Sequence, residues 1–179
     1  MNLRLLYDSR MGYSAGSDGI FNDGTMNVTN STFSRNSAGS GGGIFGSTYG
    51  TVTARNVIVA VNTAASSPDI AGQVNSQGHN LIGDSTGGSG YDPTDLVGTG
   101  QNPIDPMLGP LADNGGPTQT IALLPGSPAL NAGDPTSWTC PTSGASCAAV
   151  ALTSAPTRPA PAVSLFPPRT WYRPVCPST

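Results

Sequence analysis

The stretch of sequence that decides the fold occurs twice. GIFNDGTMNVTNSTFSRNSA at residues 19–38 aligns with GIFGSTYGTVTARNVIVAVNTA at residues 43–64. The alignment needs two extra residues in the second loop, after which the Gly-Thr pair at 24–25 falls on the Gly-Thr pair at 50–51. Self-similarity at a period of about 25 residues, in segments rich in Gly, Asn, Thr and Val, is typical of a solenoid in which each repeat forms one coil.

Asparagines recur at equivalent places in these copies. Asn30 falls on Asn56, and Asn36 falls on Asn62. A third, degenerate copy aligns Asn80 with Asn56. We expect these five asparagines to pass side-chain hydrogen bonds from coil to coil, as amide ladders do in cross-β arrays. The alternative is that they are ordinary turn asparagines, which tolerate the left-handed backbone conformation.

The local pattern within each copy predicts β-strands. Apolar and polar residues alternate, as they do in a half-buried strand. No segment has the spacing of an amphipathic helix, and the strong helix formers Lys and Glu are absent from the whole chain. The sequence therefore predicts an all-β fold, a right-handed parallel β-helix (solenoid) with about three coils. The alternating apolar residues are Met26, Val28, Val52, Val57, Val59 and Val61.

Composition shifts divide the chain into four parts. Residues 1–18 show no clear period and are predicted to be an irregular N-terminal segment. The coils occupy residues 19–84. Prolines crowd into residues 85–135, and because proline cannot donate to a strand ladder, we expect the short closing turns of the β-helix there. Residues 136–179, rich in Ala, Pro, Ser and Thr, are predicted to be a disordered tail.

Two motifs in the third copy and the closing segment resemble a known family. PDIAGQVNSQGHNLIGD (68–84) and DPMLGPLADNGGPTQTIALLPGSPALNAGDP (105–135) are similar to the C-terminal part of bacterial right-handed parallel β-helix proteins of the choice-of-anchor Q type. These proteins are related in their repeats to the polymorphic outer-membrane protein family. The resemblance covers roughly residues 19–135, and it implies an exported, cell-surface or secreted protein. It implies no catalytic residues, since the family shares none.

The tail departs from the family pattern. After GDP, the family continues with a Cys, a segment resembling TDQRGxxRP and then CDIGAFE, whereas here the sequence that follows Pro141 has no acidic residue. We hypothesise a reading-frame shift just after Pro141, and translation of the other two frames tests it. The tail also holds the three cysteines, which form either one disulfide or unconstrained thiols: Cys140, Cys147 and Cys176.

Charge and hydropathy exclude several classes of partner. The net charge is −3, from ten Asp and seven Arg residues, which argues against nucleic acid and against a polybasic membrane surface. No run approaches the roughly 18 apolar residues of a membrane span. The start, MNLRLLYDSR, has too short an apolar core for a secretory signal. We therefore interpret the chain as a terminal fragment of an exported protein that carries its signal upstream.

The titratable residues do not predict catalysis. A glycoside hydrolase needs two carboxylates across a groove. Asp18 and Asp23 have no aspartate at the equivalent places of the second copy, so no stacked pair emerges. We expect His79, the only histidine, to be a hydrogen-bonded structural residue. Other aspartates adjoin Gly, Pro or Asn and are interpreted as turn residues that bond local backbone amides; they are Asp69, Asp84, Asp105, Asp113 and Asp134.

The expected function is therefore non-enzymatic. We expect no catalytic residue and no cofactor; calcium at an aspartate corner is the one metal left open, and no EF-hand loop is present. The interpretation is a piece of a cell-surface or secreted β-helix protein that contacts a surface glycan or a protein, with end-to-end self-association of the chain. Two alternatives remain: the C-terminal piece of a polysaccharide lyase or glycoside hydrolase whose catalytic coils lie upstream, and a truncated remnant with no independent function.

Overall fold

The computed structural model describes residues 19–114 and 119–134. These residues contain β-strands and no helix, which confirms the all-β prediction for this part of the chain. The predicted irregular segment at 1–18, the tail at 136–179 and its three cysteines lie outside the described residues. The strands are β1 (Ile20–Asn22), β2 (Thr25–Phe33), β3 (Ser37–Ser40), β4 (Ile44–Gly46), β5 (Thr51–Val59), β6 (Thr63–Ser66), β7 (Ile70–Ser76), β8 (Leu81–Ile82), β9 (Gly88–Ser89), β10 (Leu96–Val97), β11 (Leu108–Ala112) and β12 (Thr120–Leu123).

Most strands pair in parallel with the strand one repeat further along. A first ladder runs β1–β4–β7–β9, a second runs from β2 to β5, then to β7 and β8, and on to β10, and a third joins β3 to β6. The register agrees with the sequence alignment of the first two copies, which is thereby confirmed. Pairs one repeat apart are Ile20 with Ile44, Thr25 with Thr51, and Ser37 with Thr63.

The third copy departs from the predicted alignment by one residue. Ile58 pairs with Leu81, so the register places Val57 opposite Asn80 and Asn56 opposite His79. The backbone agrees, because Asn56 and His79 both have a left-handed φ, 53° and 59°. The alignment of Asn80 with Asn56 was therefore wrong. The reason is one extra residue between β7 and β8: Ala54 pairs with Ser76, 22 residues on, whereas Ile58 pairs with Leu81, 23 residues on.

The core lies between the ladders and is built from columns of stacked apolar side chains. Residues in register on successive strands lie about 4.8 Å apart, so each column buries like against like. Ile44 is fully buried between its partners in the first ladder, Ile20 and Ile70. One column of the second ladder runs from β2 to β10 and consists of Phe33, Val59, Ile82 and Val97.

The Pro-rich segment does not simply continue the stack. β10 still pairs in parallel with β8, but β11 and β12 pair antiparallel with each other. Leu123 of β12 and Ala129 pack against Ile58 and Leu81, which belong to a cluster separate from the main core. From residue 108 onward, the segment predicted as closing turns therefore forms a hairpin that packs beside the second ladder. The physical reason is that Ile58 and Leu81 form an apolar outward column, which needs a cover.

Candidate functional site

The outward side of the first ladder carries a pair of stacked aromatic rings. Phe21 of β1 and Phe45 of β4 are register partners, and their ring centroids lie 5.4 Å apart with an angle of 14° between the planes. Phe21 remains 52% exposed. Tyr49, in the loop that follows β4, is 86% exposed. Three aromatic side chains therefore face solvent at one end of the parallel stack.

Polar, uncharged side chains continue this surface along the second ladder. Thr25 and Thr51 are exposed register partners on β2 and β5. A second row consists of Asn27, Thr53 and Asn75, which are mutual register partners on β2, β5 and β7. Alternate residues of a strand point to the same side, so the two rows face outward together. The corner at residues 47–50, which carries Tyr49, lies between them and the aromatic pair in the chain. We call the aromatic pair and the two rows together the contact face; it comprises Phe21, Phe45, Thr25, Thr51, Asn27, Thr53 and Asn75.

The loop that presents Tyr49 is held by one serine. The Ser47 hydroxyl donates to the carboxylate of Asp23 in the corner of the preceding layer. The same oxygen accepts the backbone N–H groups of Tyr49 and Gly50, each at 3.1 Å. These bonds fix the corner between β4 and β5, so the exposed tyrosine stands on an ordered turn.

The asparagines form two asparagine ladders, which are chains of side-chain hydrogen bonds on the inner side of the corners. The side-chain amide of Asn56 donates to Asn30 Oδ1 at 3.2 Å. In the other ladder, the amide of Asn36 donates to Asn62 Oδ1 at 3.0 Å. The Asn62 amide then donates to Asp69 Oδ1 at 2.8 Å, so this ladder ends on a carboxylate.

Asn80 has a different role from the other four asparagines. Its Oδ1 accepts the backbone N–H of Val57 at 2.9 Å, and its amide donates to Asp95 Oδ1 at 3.0 Å. Asp95 also accepts the Asn80 backbone N–H at 2.9 Å. Asn80 therefore joins adjacent layers through backbone groups, whereas Asn30, Asn56, Asn36 and Asn62 bond one another.

An acidic cleft of about 400 Å³ lies at the corner after β6 and is lined by Asp69, Asp84 and Asp105. Asp84 and Asp105 accept the backbone N–H groups of Thr86 and Met107, which are the local turn bonds predicted for them. Asp69 is different, since it is only 2% exposed. The alignment of the repeats does not predict this grouping, because the three aspartates lie at corners that are not equivalent in the repeat.

Asp69 departs from the prediction of a local turn residue. Its Oδ1 accepts the Asn62 backbone N–H at 3.1 Å, and its Oδ2 accepts the Asp84 N–H at 2.7 Å, so it joins two layers. Burial raises the pKa of Asp69, while the hydrogen bonds from Asn62 and Asp84 oppose that shift. A carboxylate that accepts all of these bonds acts first as a structural acceptor.

The hairpin segment is fastened to the parallel stack by polar contacts. His79 Nδ1 lies 3.0 Å from the carbonyl oxygen of Ala132, in agreement with a structural histidine. Asp134 is 5% exposed in its side chain and forms an ion pair with Arg55, and its backbone N–H donates to Asn56. The turn prediction for Asp134 was therefore wrong, because its partners lie in the second layer.

Across residues 19–114 and 119–134, no three His, Cys, Asp or Glu side chains lie close enough together to hold a metal ion. The same residues include no helix that is long and apolar enough to cross a membrane. Comparisons of the chain with protein-family models, curated proteins and solved structures returned no match. The class of the protein therefore rests on its strands: an all-β chain built mostly of parallel ladders.

Proposed function

We propose that the ladders are successive coils of a right-handed parallel β-helix. The offsets between paired strands support this, since Ile20 pairs with Ile44 and Ile44 with Ile70, as one coil stacked on the next requires. Right-handed crossover is the rule for parallel strands that are joined within one sheet. The resemblance of the repeats to choice-of-anchor Q proteins supports the same architecture.

We propose further that the chain is a non-enzymatic contact module of a cell-surface or secreted protein. The single observation that carries this proposal is the exposed stack of Phe21 on Phe45. An aromatic side chain gains free energy by leaving water, and contiguous exposed apolar groups rimmed by polar residues mark interaction sites. Here the rim consists of the threonine and asparagine rows of the contact face.

The experiment measures retention of the fluorescently labelled chain on immobilised cell-envelope and extracellular-matrix material. We expect the wild-type chain to be retained and the double variant Phe21→Ser/Phe45→Ser to lose most of its retention, because the rings supply most of the apolar contact area. Leu111→Ser is the matched control, because Leu111 is 57% exposed but lies on the hairpin and is not part of the contact face.

Equal retention of wild type and double variant would overturn the contact module. Urea unfolding of each variant checks that the fold is intact before retention is compared. Release of reducing sugar or unsaturated product from the same material, at a rate above that of a heat-treated sample, would instead favour an enzyme.

A carbohydrate-active β-helix is the second candidate, and the acidic cleft is the observation that favours it. Asp69 and Asp84 line the same cleft, and burial raises the pKa of Asp69, as a general acid requires. The hydrogen bonds that Asp69 accepts from Asn62 and Asp84 weigh against this role, because both carboxylate oxygens are engaged. If turnover were found, its loss in Asp84→Asn would place the reaction in this cleft.

A further inference from the structure

Resting on the proposed contact function, we propose that the ligand of the contact face is an uncharged, extended, β-linked polysaccharide. Its sugar rings pack against Phe21 and Phe45, and its hydroxyl groups bond the rows that begin at Thr25 and Asn27. The proposal names the chemical class of the partner. It follows from the charge, the hydrogen-bonding groups and the exposed aromatic rings of this face.

The seven residues of the contact face carry no charge, which disfavours a charged ligand. Its seven residues include no Arg, His or Asp. Two charged residues adjoin these seven, and each has a partner: Asp23, next to β1, accepts the Ser47 hydroxyl, and Arg55, the next outward residue of β5 after Thr53, is paired with Asp134. A charged ligand would lose its hydration on this surface without gaining an opposite charge, at a cost in free energy. Charge complementarity therefore favours a neutral ligand over an anionic polymer.

The hydrogen-bonding groups form a regular grid. Thr53 stands in register between Asn27 and Asn75, so its row repeats about every 4.8 Å along the stack. Along each strand, residues that face the same way recur about every 6.6 Å. Hydroxyl and amide groups both donate and accept, which matches the hydroxyl groups of a sugar. Repeated neutral units on a flat polymer fit such a grid.

The aromatic pair supplies the apolar part of the site. Phe21 and Phe45 are register partners on strands that lead through a corner to the strands of the polar rows, and Phe21 is half exposed. The C–H faces of pyranose rings are apolar and pack against aromatic side chains, while their hydroxyl groups remain free to bond at the edges. An extended β-linked chain has the flat shape that lets several sugars touch such a face at once.

The experiment is affinity electrophoresis of the full chain in gels that contain one polysaccharide each. The neutral probes are hydroxyethylcellulose, glucomannan and xylan, and the anionic probe is polygalacturonate. We expect retardation by at least one neutral probe and none by polygalacturonate. Thr51→Val/Thr53→Val keeps the shape and the strand preference of both side chains but removes two hydroxyl groups. We expect it to weaken binding about tenfold, in line with two lost hydrogen bonds.

Two further variants sharpen the test. Phe45→Ala is expected to abolish retardation, because the stacked ring is lost. Thr63→Val is the matched control on the third ladder, away from the contact face, and should leave retardation unchanged. If Phe45→Ala lowers stability, the variant Thr51→Val/Thr53→Val still tests the proposal. Surface substitutions of this kind change the free energy of unfolding by no more than about 0.5 kcal/mol.

Each other outcome overturns the proposal. No retardation by any neutral probe, retardation by polygalacturonate alone, or equal retardation of wild type and Thr51→Val/Thr53→Val would each do so. Treatment of the immobilised material separates this proposal from the contact function. Periodate, which destroys sugars, should abolish retention, and protease should spare it. Retention that protease abolishes and periodate spares would overturn the polysaccharide ligand but not the contact function. No retention on untreated material would overturn both proposals.

Discussion

At the residue scale, the hydrogen-bonding groups of each side chain decide where an asparagine ladder ends. An asparagine amide both donates and accepts, so Asn62 takes a bond from Asn36 and passes one on to Asp69. A carboxylate only accepts, so the ladder cannot continue beyond Asp69. The same pairing occurs where the Asn80 amide donates to Asp95. We infer that Asp69 marks the layer at which the chain of side-chain bonds from Asn36 through Asn62 stops.

Asp69 predicts a pH dependence of stability. Burial raises its pKa in the folded state, so the folded chain binds this proton more tightly than the unfolded chain. The stability that Asp69 contributes is therefore fully present below its ordinary pKa of about 4 and is lost as the pH rises through its raised pKa. Urea unfolding of wild type and Asp69→Asn between pH 3.5 and 7 measures this difference.

Asn cannot ionise, so the variant removes the pH-dependent contribution of this position alone. We expect the free energy of unfolding of the wild type, minus that of Asp69→Asn, to fall as the pH rises. A difference that stays constant or rises would show that the hydrogen bonds from Asn62 and Asp84 outweigh burial.

At the element scale, the hairpin of β11 and β12 covers the outward column of Ile58 and Leu81. Leu123 belongs to this cluster and is 5% exposed, whereas Leu111 on the partner strand is 57% exposed. We expect Leu123→Ala to lower the free energy of unfolding by about 2–5 kcal/mol, because it leaves a cavity in a buried cluster. Urea unfolding measures the change.

Leu111→Ala is the control in the same hairpin and should change stability by about 0.5 kcal/mol or less. Equal effects of the two substitutions would mean that the hairpin does not pack on the second ladder. Loss of amide protection in β11 and β12 of Leu123→Ala, with protection retained in β5, would localise the change to the hairpin.

At the scale of the whole molecule, the coils of the proposed β-helix contact only their neighbours, so the end coils are expected to be the weakest. β5 is paired on both edges, with β2 on one side and with β7 and β8 on the other. Among the described strands, β2 pairs with β5 alone. An open strand edge is a template for another chain. We therefore expect end-to-end self-association, measured as a rise of average mass with concentration in sedimentation equilibrium.

Charge on an edge strand opposes such pairing. Asn27→Lys/Thr29→Lys, on β2, should shift the chain toward monomer, while Gln101→Lys adds a charge in an exposed loop and should not. A wild-type chain that stays monomeric at all concentrations would contradict the expectation. Amide exchange provides a second measure, since protection should be lower in β2 than in β5.

Much of the fold follows from local sequence. The repeat fixed the register of the first two layers because equivalent residues recur at a constant spacing, as Thr25 and Thr51 do. The left-handed corners at Asn30 and Asn56 could also be anticipated, since asparagine tolerates a positive φ. Both features depend on residues close in the chain or on direct repetition.

The sequence by itself determined the strand type, the period and the register of the first two layers. Only the tertiary structure decided the register of the third copy, the burial of Asp69 and the position of the hairpin. The continuous apolar run from Val57 to Ala60 was the one local sign of the hairpin, because a strand buried on both faces loses its alternation. What covers its second face is Leu123, more than sixty residues away, and local alternation carries no information about a partner so distant in the chain.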